Sequence, residues 1–308
     1  MSRKFRFGAK AVKATSAKEW TDLVRQVEDL GYESFHMDDH FGNQLGVVPA
    51  LMAAAAATST LLVGPHVAGV DFRNPVLFAK ECATIDLLSE GRFTLGIGAG
   101  WSEKDYAIAG IHQDNALTRI GRVREAVQIM KGLWGDGPFS FAGEHYRVAE
   151  VDAVPKPASR IPMMIGGGGP KILAVAAEHA DIVGINPKIV GRAINPESMA
   201  TTAADAMDEK VDAVRAAAGD RFAELELQVQ IFKTVVTDRP QETAEQLAPA
   251  FGLPPEEALV SPHALAGTPE EMVEDLLAGR ERWGISYIGV SADALDAMAP
   301  VVNRLAGS

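Results

Sequence analysis

Eight times along this chain a short run of β-branched, aromatic and other apolar residues is followed by a stretch that is helical in its spacing or turn-like. The strand-like runs start at Arg3, Ser34, Leu61, Phe93, Ile161, Asp181, Leu227 and Ser286. A strand followed by a covering helix returns the chain to the same edge, so the strands lie parallel. Eight such units close on themselves more readily than they form an open sheet. The expected fold is therefore an α/β protein, a (β/α)8 barrel.

The helical stretches carry their own start and stop signals. Ser16 with Glu19 three residues on reads as a capping box. Trp20, Leu23, Val24, Val27 and Leu30 then fall on one face, and Gly31 ends the helix. Asn74-Pro75 opens a helix carrying Leu77, Phe78, Cys82, Ile85 and Leu88. Thr118 opens another with Ile120, Val123, Val127 and Met130 inward, and Pro170 begins the helix after the fifth strand. Thr268-Pro269-Glu270-Glu271 caps the last long helix, with Met272, Val273, Leu276 and Leu277 on its inner face. The period loosens between the sixth and seventh strands, where an insertion is expected over 186–226. No Pro-, Gly- or Ser-rich linker divides the 308 residues, so one domain over 1–308 is expected.

Bulk properties narrow the partners. A formal net charge of -12 opposes binding to nucleic-acid phosphates. Cys82 is the only cysteine, which excludes an intrachain disulfide and fits a reducing compartment. The longest apolar run, Val47 to Ala57, is too short to span a bilayer, and the first residues lack a signal-peptide core. A cytoplasmic protein with neither nucleic acid nor membrane as partner is expected.

In such a barrel the residues just beyond each strand line the active-site mouth, and four stretches there carry chemistry. Asp38-Asp39-His40-Phe41 follows the second strand. A carboxylate beside an imidazole fixes its tautomer and poises it for proton transfer near neutral pH; a surface acidic turn is the alternative. Gly64-Pro65-His66-Val67 ends the third strand, where His66 reads equally as a satisfied core histidine. Gly96-Ile97-Gly98-Ala99-Gly100-Trp101 ends the fourth. It is one residue short of a dinucleotide fingerprint and no helix is expected promptly after it. Its glycines suit a flat ring approaching the backbone, or a turn. Gly166-Gly167-Gly168-Gly169-Pro170 sits between strand and helix, where bare N–H groups and the helix dipole bind phosphate; the alternative is a flexible loop. A metal-dependent hydrolase using His36, Asp38, Asp39, His40 and His66 is a competing reading, although these ligands converge poorly from a strand and turn.

Taken in register, these stretches resemble the luciferase-like monooxygenase superfamily. They are joined by Phe72-Arg73-Asn74-Pro75-Val76, Leu87-Leu88-Ser89-Glu90-Gly91-Arg92-Phe93, Gly143-Glu144-His145-Tyr146, Pro155-Lys156-Pro157 and Gly284-Ile285-Ser286-Tyr287. The resemblance is closest to the branch that uses the deazaflavin coenzyme F420, and it covers nearly the whole chain. It implies an oxidoreductase that transfers a hydride between the deazaflavin C5 and a small organic substrate. It also implies a non-prolyl cis peptide at His66-Val67 behind the ring, Gly98-Ala99-Gly100 along the ring, and a phosphate turn at Gly166 to Gly169. His40, braced by Asp39, would be the acid/base; Trp101 would wall the substrate; a lid would come from 186–200. A homodimer is the family habit. An FMN-dependent two-component monooxygenase is the other cofactor reading. Sugar-phosphate dehydrogenases of this branch carry a tryptophan and an acidic residue where this chain has Gln44 and Trp101, which argues against glucose 6-phosphate.

Overall fold

The computed structural model describes residues 3–308. Eight parallel strands form its centre: β1 (Arg6–Lys10), β2 (Ser34–Met37), β3 (Leu62–Pro65), β4 (Leu95–Gly98), β5 (Met163–Gly167), β6 (Ile182–Ile185), β7 (Glu226–Gln230) and β8 (Ile285–Ser291). Pairing runs β3-β2-β1-β8-β7-β6-β5-β4, and β4 then pairs with Ala68–Gly69. That short segment continues β3 beyond the His66-Val67 peptide, which is cis. One broken strand therefore touches both β2 and β4, and Val63 also bridges Phe93. The ring of pairing closes, as the eight-unit pattern predicts. Each observed strand begins within three residues of its expected start.

The outer layer is helical: α1 (Ala17–Asp29), α2 (Val47–Ala57), α3 (Pro75–Leu88), α4 (Glu103–Ala109), α5 (Ala116–Trp134), α6 (Pro170–His179), α7 (Pro196–Ala200), α8 (Ala204–Ala218), α9 (Pro240–Phe251), α10 (Pro255–Leu259), α11 (Pro269–Trp283) and α12 (Leu295–Leu305). Trp20, Val24 and Val27 of α1 and Val123, Val127 and Met130 of α5 are buried against the barrel, as their spacing requires.

Several expectations are corrected. The capping box at α1 forms by half. Ser16 Oγ accepts from the Glu19 N–H, but the Glu19 carboxylate turns to the Thr15 N–H and hydroxyl. The box at α11 is complete, Thr268 with Glu271. Asn115, not Thr118, caps α5, because its side-chain oxygen reaches the N–H groups of Leu117 and Thr118. Leu77 and Leu88 of α3 and Leu277 of α11 face outward. α12 follows β8, so α11 is not the last helix.

The chain makes two excursions after β6. Between β6 and β7, over residues where an insertion is expected, lie α7 and α8, and α8 packs on α6. The second lies between β7 and β8, where Lys233–Val236 pairs in parallel with Ala264–Gly267. Around that pair Met199, Leu247, Phe251, Ala258, Ala264 and Ala266 form a cluster apart from the main core. Among the described residues no helix is long and apolar enough to cross a membrane.

The barrel interior is polar along much of its axis. His36 Nε2 lies 2.5 Å from Tyr287 Oη and 3.0 Å from Ser34 Oγ, and His66 Nε2 donates to Gln228 Oε1 at 3.0 Å. Side chains of this size fit because glycines face them: a Cβ on Gly8 would strike Ser34 and His36, and one on Gly289 would strike Gln230 and Gln228.

Candidate active site

Every barrel strand is parallel, so all their C-terminal ends open on one mouth. The register ties the four stretches together there. Gly98 pairs with Gly166 on one side and with Gly69 on the other. The Gly69 N–H donates to Asp39 Oδ2 at 3.1 Å, and Asp39 adjoins His40. The glycine turn and the imidazole of residue 40 thus share one rim.

His40 is held, but not by Asp39. Its Nδ1 donates to Asp105 Oδ2 at 2.6 Å, while Asp105 Oδ1 accepts from the Phe41 N–H at 3.1 Å. Asp39 is instead gripped by the Arg73 guanidinium, with Nη2 to Oδ1 at 3.0 Å. The expected bracing pair is corrected accordingly. Just past a strand end neighbouring side chains diverge, and Arg73 and the Gly69 amide draw the Asp39 carboxylate away. Burial by itself would raise the Asp105 carboxyl. The bonds from His40, Ser102 and the Phe41 amide outweigh it and keep the group below the usual carboxylate range. With Nδ1 committed as donor, Nε2 of His40 is the atom left to exchange a proton.

Asp105 comes from α4, a helix not expected so soon after Gly100. Ser102 caps it, accepting from the Asp105 N–H, and Gly110 ends it in the left-handed region at φ 66°. The signal lay in Ser102 followed by acidic residues. A prompt helix after Gly100 removes one argument against a dinucleotide fold. The closed parallel barrel supplies a stronger one.

Around His40 lies an aromatic wall. The Trp101 ring stands edge-on to His40 at 5.5 Å between centroids, Phe41 packs on Phe72 at 4.7 Å, and Phe72 meets Tyr106 at 5.3 Å. The half-buried Val67 lies beside the ends of β4 and β5. A Cβ on Gly98 would come within 2.7 Å of Val67 Cγ2, and one on Gly166 within 3.0 Å of Cγ1. Those glycines leave flat backbone beside the valine. Gly100 is at φ 70°, with Tyr106 Oη where a side chain would go. Arg119 pins the neighbouring backbone, donating to Ala99 O at 3.1 Å and to Gly100 O. Tyr106 Oη donates to Asp71 at 2.8 Å, and Asp71 also accepts from Arg122 at 3.0 Å.

The Gly166 to Gly169 stretch is ordered by packing. Gly166 and Gly167 end β5. A Cβ on Gly167 would strike Ile172, and one on Gly168 would strike the Asn186 and Pro187 carbonyls. Gly169 caps α6 with no side-chain bond to its first N–H groups, and space beside it is open. The turn has free donors at a helix start.

The metal-hydrolase set does not converge. His36 is committed to Ser34, Tyr287 and Gly64, His66 to Gln228, Asp39 to Arg73 and His40 to Asp105. Lys10 occupies Asp38 at 3.2 Å. Among the described residues no three His, Cys, Asp or Glu side chains are grouped to hold a metal ion.

Known proteins share this architecture. The sequence model of the luciferase-like monooxygenase family matches residues 2–255. The F420-dependent glucose-6-phosphate dehydrogenase of Intrasporangium calvum is 32% identical over 174 residues, 53% of this chain and 52% of that protein. The match thus spans about half the length of that relative. The 5,10-methylenetetrahydromethanopterin reductase of Archaeoglobus fulgidus is 30% identical over 302 residues, 97% of this chain and 78% of that one. The structure of the coenzyme F420 dependent tetrahydromethanopterin reductase of Methanopyrus kandleri superposes with a TM-score of 0.76 at 18% identity, covering 98% of this chain and 100% of that one. At that identity it speaks for the fold alone.

Proposed function

We propose that this chain, which belongs to the luciferase-like monooxygenase family, is an oxidoreductase that uses coenzyme F420 and acts on a small organic substrate. The observation carrying the reading is the His40–Asp105 pair, set in an aromatic wall on the same rim as the glycine turn. The family match and the two relatives, one named for its F420 dependence, support it.

The residues present fit a phosphorylated, flat, tricyclic cofactor. Of the Gly166 to Gly169 stretch, Gly166 and Gly167 end β5 and lead the chain into the turn, and Gly168 and Gly169 would offer the phosphate N–H groups at the start of α6. His66-Val67 would back its ring, with Gly98, Ala99 and Gly100 along its edge. When bound, the deazaflavin supplies or accepts a hydride at C5. The protein does the rest. Asp105 fixes the His40 tautomer, and His40 Nε2 gives or takes the accompanying proton. Trp101 walls the substrate and helps exclude water. The segment 186–200 covers the opening, with Arg192 3.5 Å from Glu103 at the start of α4.

The test follows the visible band of F420 while alcohols and unsaturated carbonyl compounds are offered to wild type and His40→Ala. Turnover in wild type with loss in His40→Ala, at unchanged F420 affinity, supports the reading. Equal turnover in both proteins sinks it.

The apolar outer surface supports a homodimer. α2 has no polar side chain, and neighbouring α3 exposes Leu77, Leu87 and Leu88, at 54%, 45% and 63%. Light scattering at micromolar concentration should return twice the mass of one chain; a monomer contradicts it.

A further inference from the structure

α8 carries a buried lysine without an anion. Lys210 is 7% exposed, and its ammonium donates to Asn186 O at 3.0 Å and Thr201 O at 2.6 Å. Both acceptors are neutral carbonyls. Among the described residues it has no carboxylate within ion-pairing distance. Burial lowers its pKa to about 8, and only the field of Glu209 works the other way. Buried charges are ordinarily paired, because desolvation without a counter-charge is costly.

Its position points to the anion it would serve. Asn186 is the first residue past β6. Its N–H donates to Gly167 O at 3.0 Å, and its carbonyl lies against Gly168 so closely that a Cβ there would collide. Lys210, the Asn186 carbonyl and the glycine turn are successive layers of one wall. We infer that Lys210 is the charge-specificity residue of the cofactor site, making the Gly166 to Gly169 turn select a phosphorylated ring cofactor over the same ring without phosphate. This rests on the cofactor reading above. The lysine touches no reacting atom; it acts on the phosphate through one layer of backbone.

A unit charge acting through protein rather than water shifts a nearby anion's affinity by about ten-fold or more. The experiment is a fluorescence titration of wild type, Lys210→Met and Lys210→Arg with F420 and with its phosphate-free deazaflavin–ribityl core. Wild type should prefer F420 by at least about ten-fold. Lys210→Met should lose that preference through weaker F420 binding, with affinity for the core unchanged, and Lys210→Arg should restore most of it. A purely structural lysine would weaken both ligands together, and an idle one would weaken neither; either result overturns the inference while wild-type F420 binding stands. Should Lys210→Met not fold, Lys210→Gln is read the same way, and equal wild-type affinities for the two ligands suffice to overturn it. If wild type binds neither, the cofactor reading falls and this inference with it.

Discussion

His40 and Asp105 meet across 65 positions of sequence, Nδ1 to Oδ2 at 2.6 Å, at the rim where β2 and β4 deliver their chains. The bond leaves the other ring nitrogen, Nε2, without a hydrogen-bond partner among the described residues. Replacing His40 with Ala should lower turnover by about 10²- to 10⁴-fold, the usual contribution of a positioned acid/base. Asp105→Asn should cost about ten- to a hundred-fold, because the amide can offer Nδ1 its NH₂ group and favour the wrong tautomer. Steady-state rates at saturating F420 check both. A full effect in Asp39→Asn with none in Asp105→Asn would restore Asp39 as the partner.

Asp39 has a structural task. Its carboxylate is buried, doubly bonded to Arg73, and receives the Gly69 N–H that links β3 to the rim. Removing one partner leaves the other uncompensated. Arg73→Met should cost about 2–4 kcal/mol in a reversible denaturant titration. A loss below about 0.5 kcal/mol would place the pair among surface ion pairs that contribute little.

Buried histidines set the acid limit. His36 sits inside the barrel, where burial, the nearby His66 and local cations pull its pKa from 6.5 to about 3. His263 falls to about 3, chiefly through burial, and His66 is also lowered. The folded state keeps these rings neutral while the unfolded chain protonates them, so below about pH 6.5 the unfolded state binds more protons. Stability should be full above that pH and fall steadily toward pH 3. Asp105, held below its ordinary value, adds a loss of the same sign at lower pH. Denaturant midpoints from pH 7 to 4 check the slope. His36→Gln should flatten it, and an unchanged slope there contradicts the assignment.

Gly100 tests the backbone just past β4. At φ 70° with Tyr106 Oη in the way, Gly100→Ala should cost about 1–2 kcal/mol. It should also weaken F420 binding, since the pinned Ala99-Gly100 carbonyls must shift. Retained affinity alongside retained stability would remove this segment from the site.

How much of this the sequence disclosed depends on whether the signal was local. The barrel strands were legible because each is a compact β-rich run. α1 and α5 were legible because their buried residues recur every three to four positions. α2 was hidden: every residue in it is apolar, so it has no polar face to give a period, and Pro49 reads as a break. The strand pair at 233–236 and 264–267 was half hidden: its first member continues the β-rich run that begins at Leu227, while its second is a short run after two small helices and packs on a satellite cluster. At the site, the mouth positions followed from strand ends alone. The partner of His40 did not. Adjacency favoured Asp39, while the true partner depends on how a seven-residue helix leaves β4. Lys210 gave no local sign, because its ammonium is held by two backbone carbonyls, one just past β6 and one at the end of α7.

In the proposed function one rim grips a phosphate and sets an imidazole against a deazaflavin ring. Parallel equilibrium titrations with F420 and FMN, each followed by the ligand's own fluorescence, test it most directly. Saturable binding of one F420 per chain is expected, tighter than FMN and sensitive to substitution in the Gly166 to Gly169 turn. Absence of saturable F420 binding, or tighter binding of FMN, would contradict it.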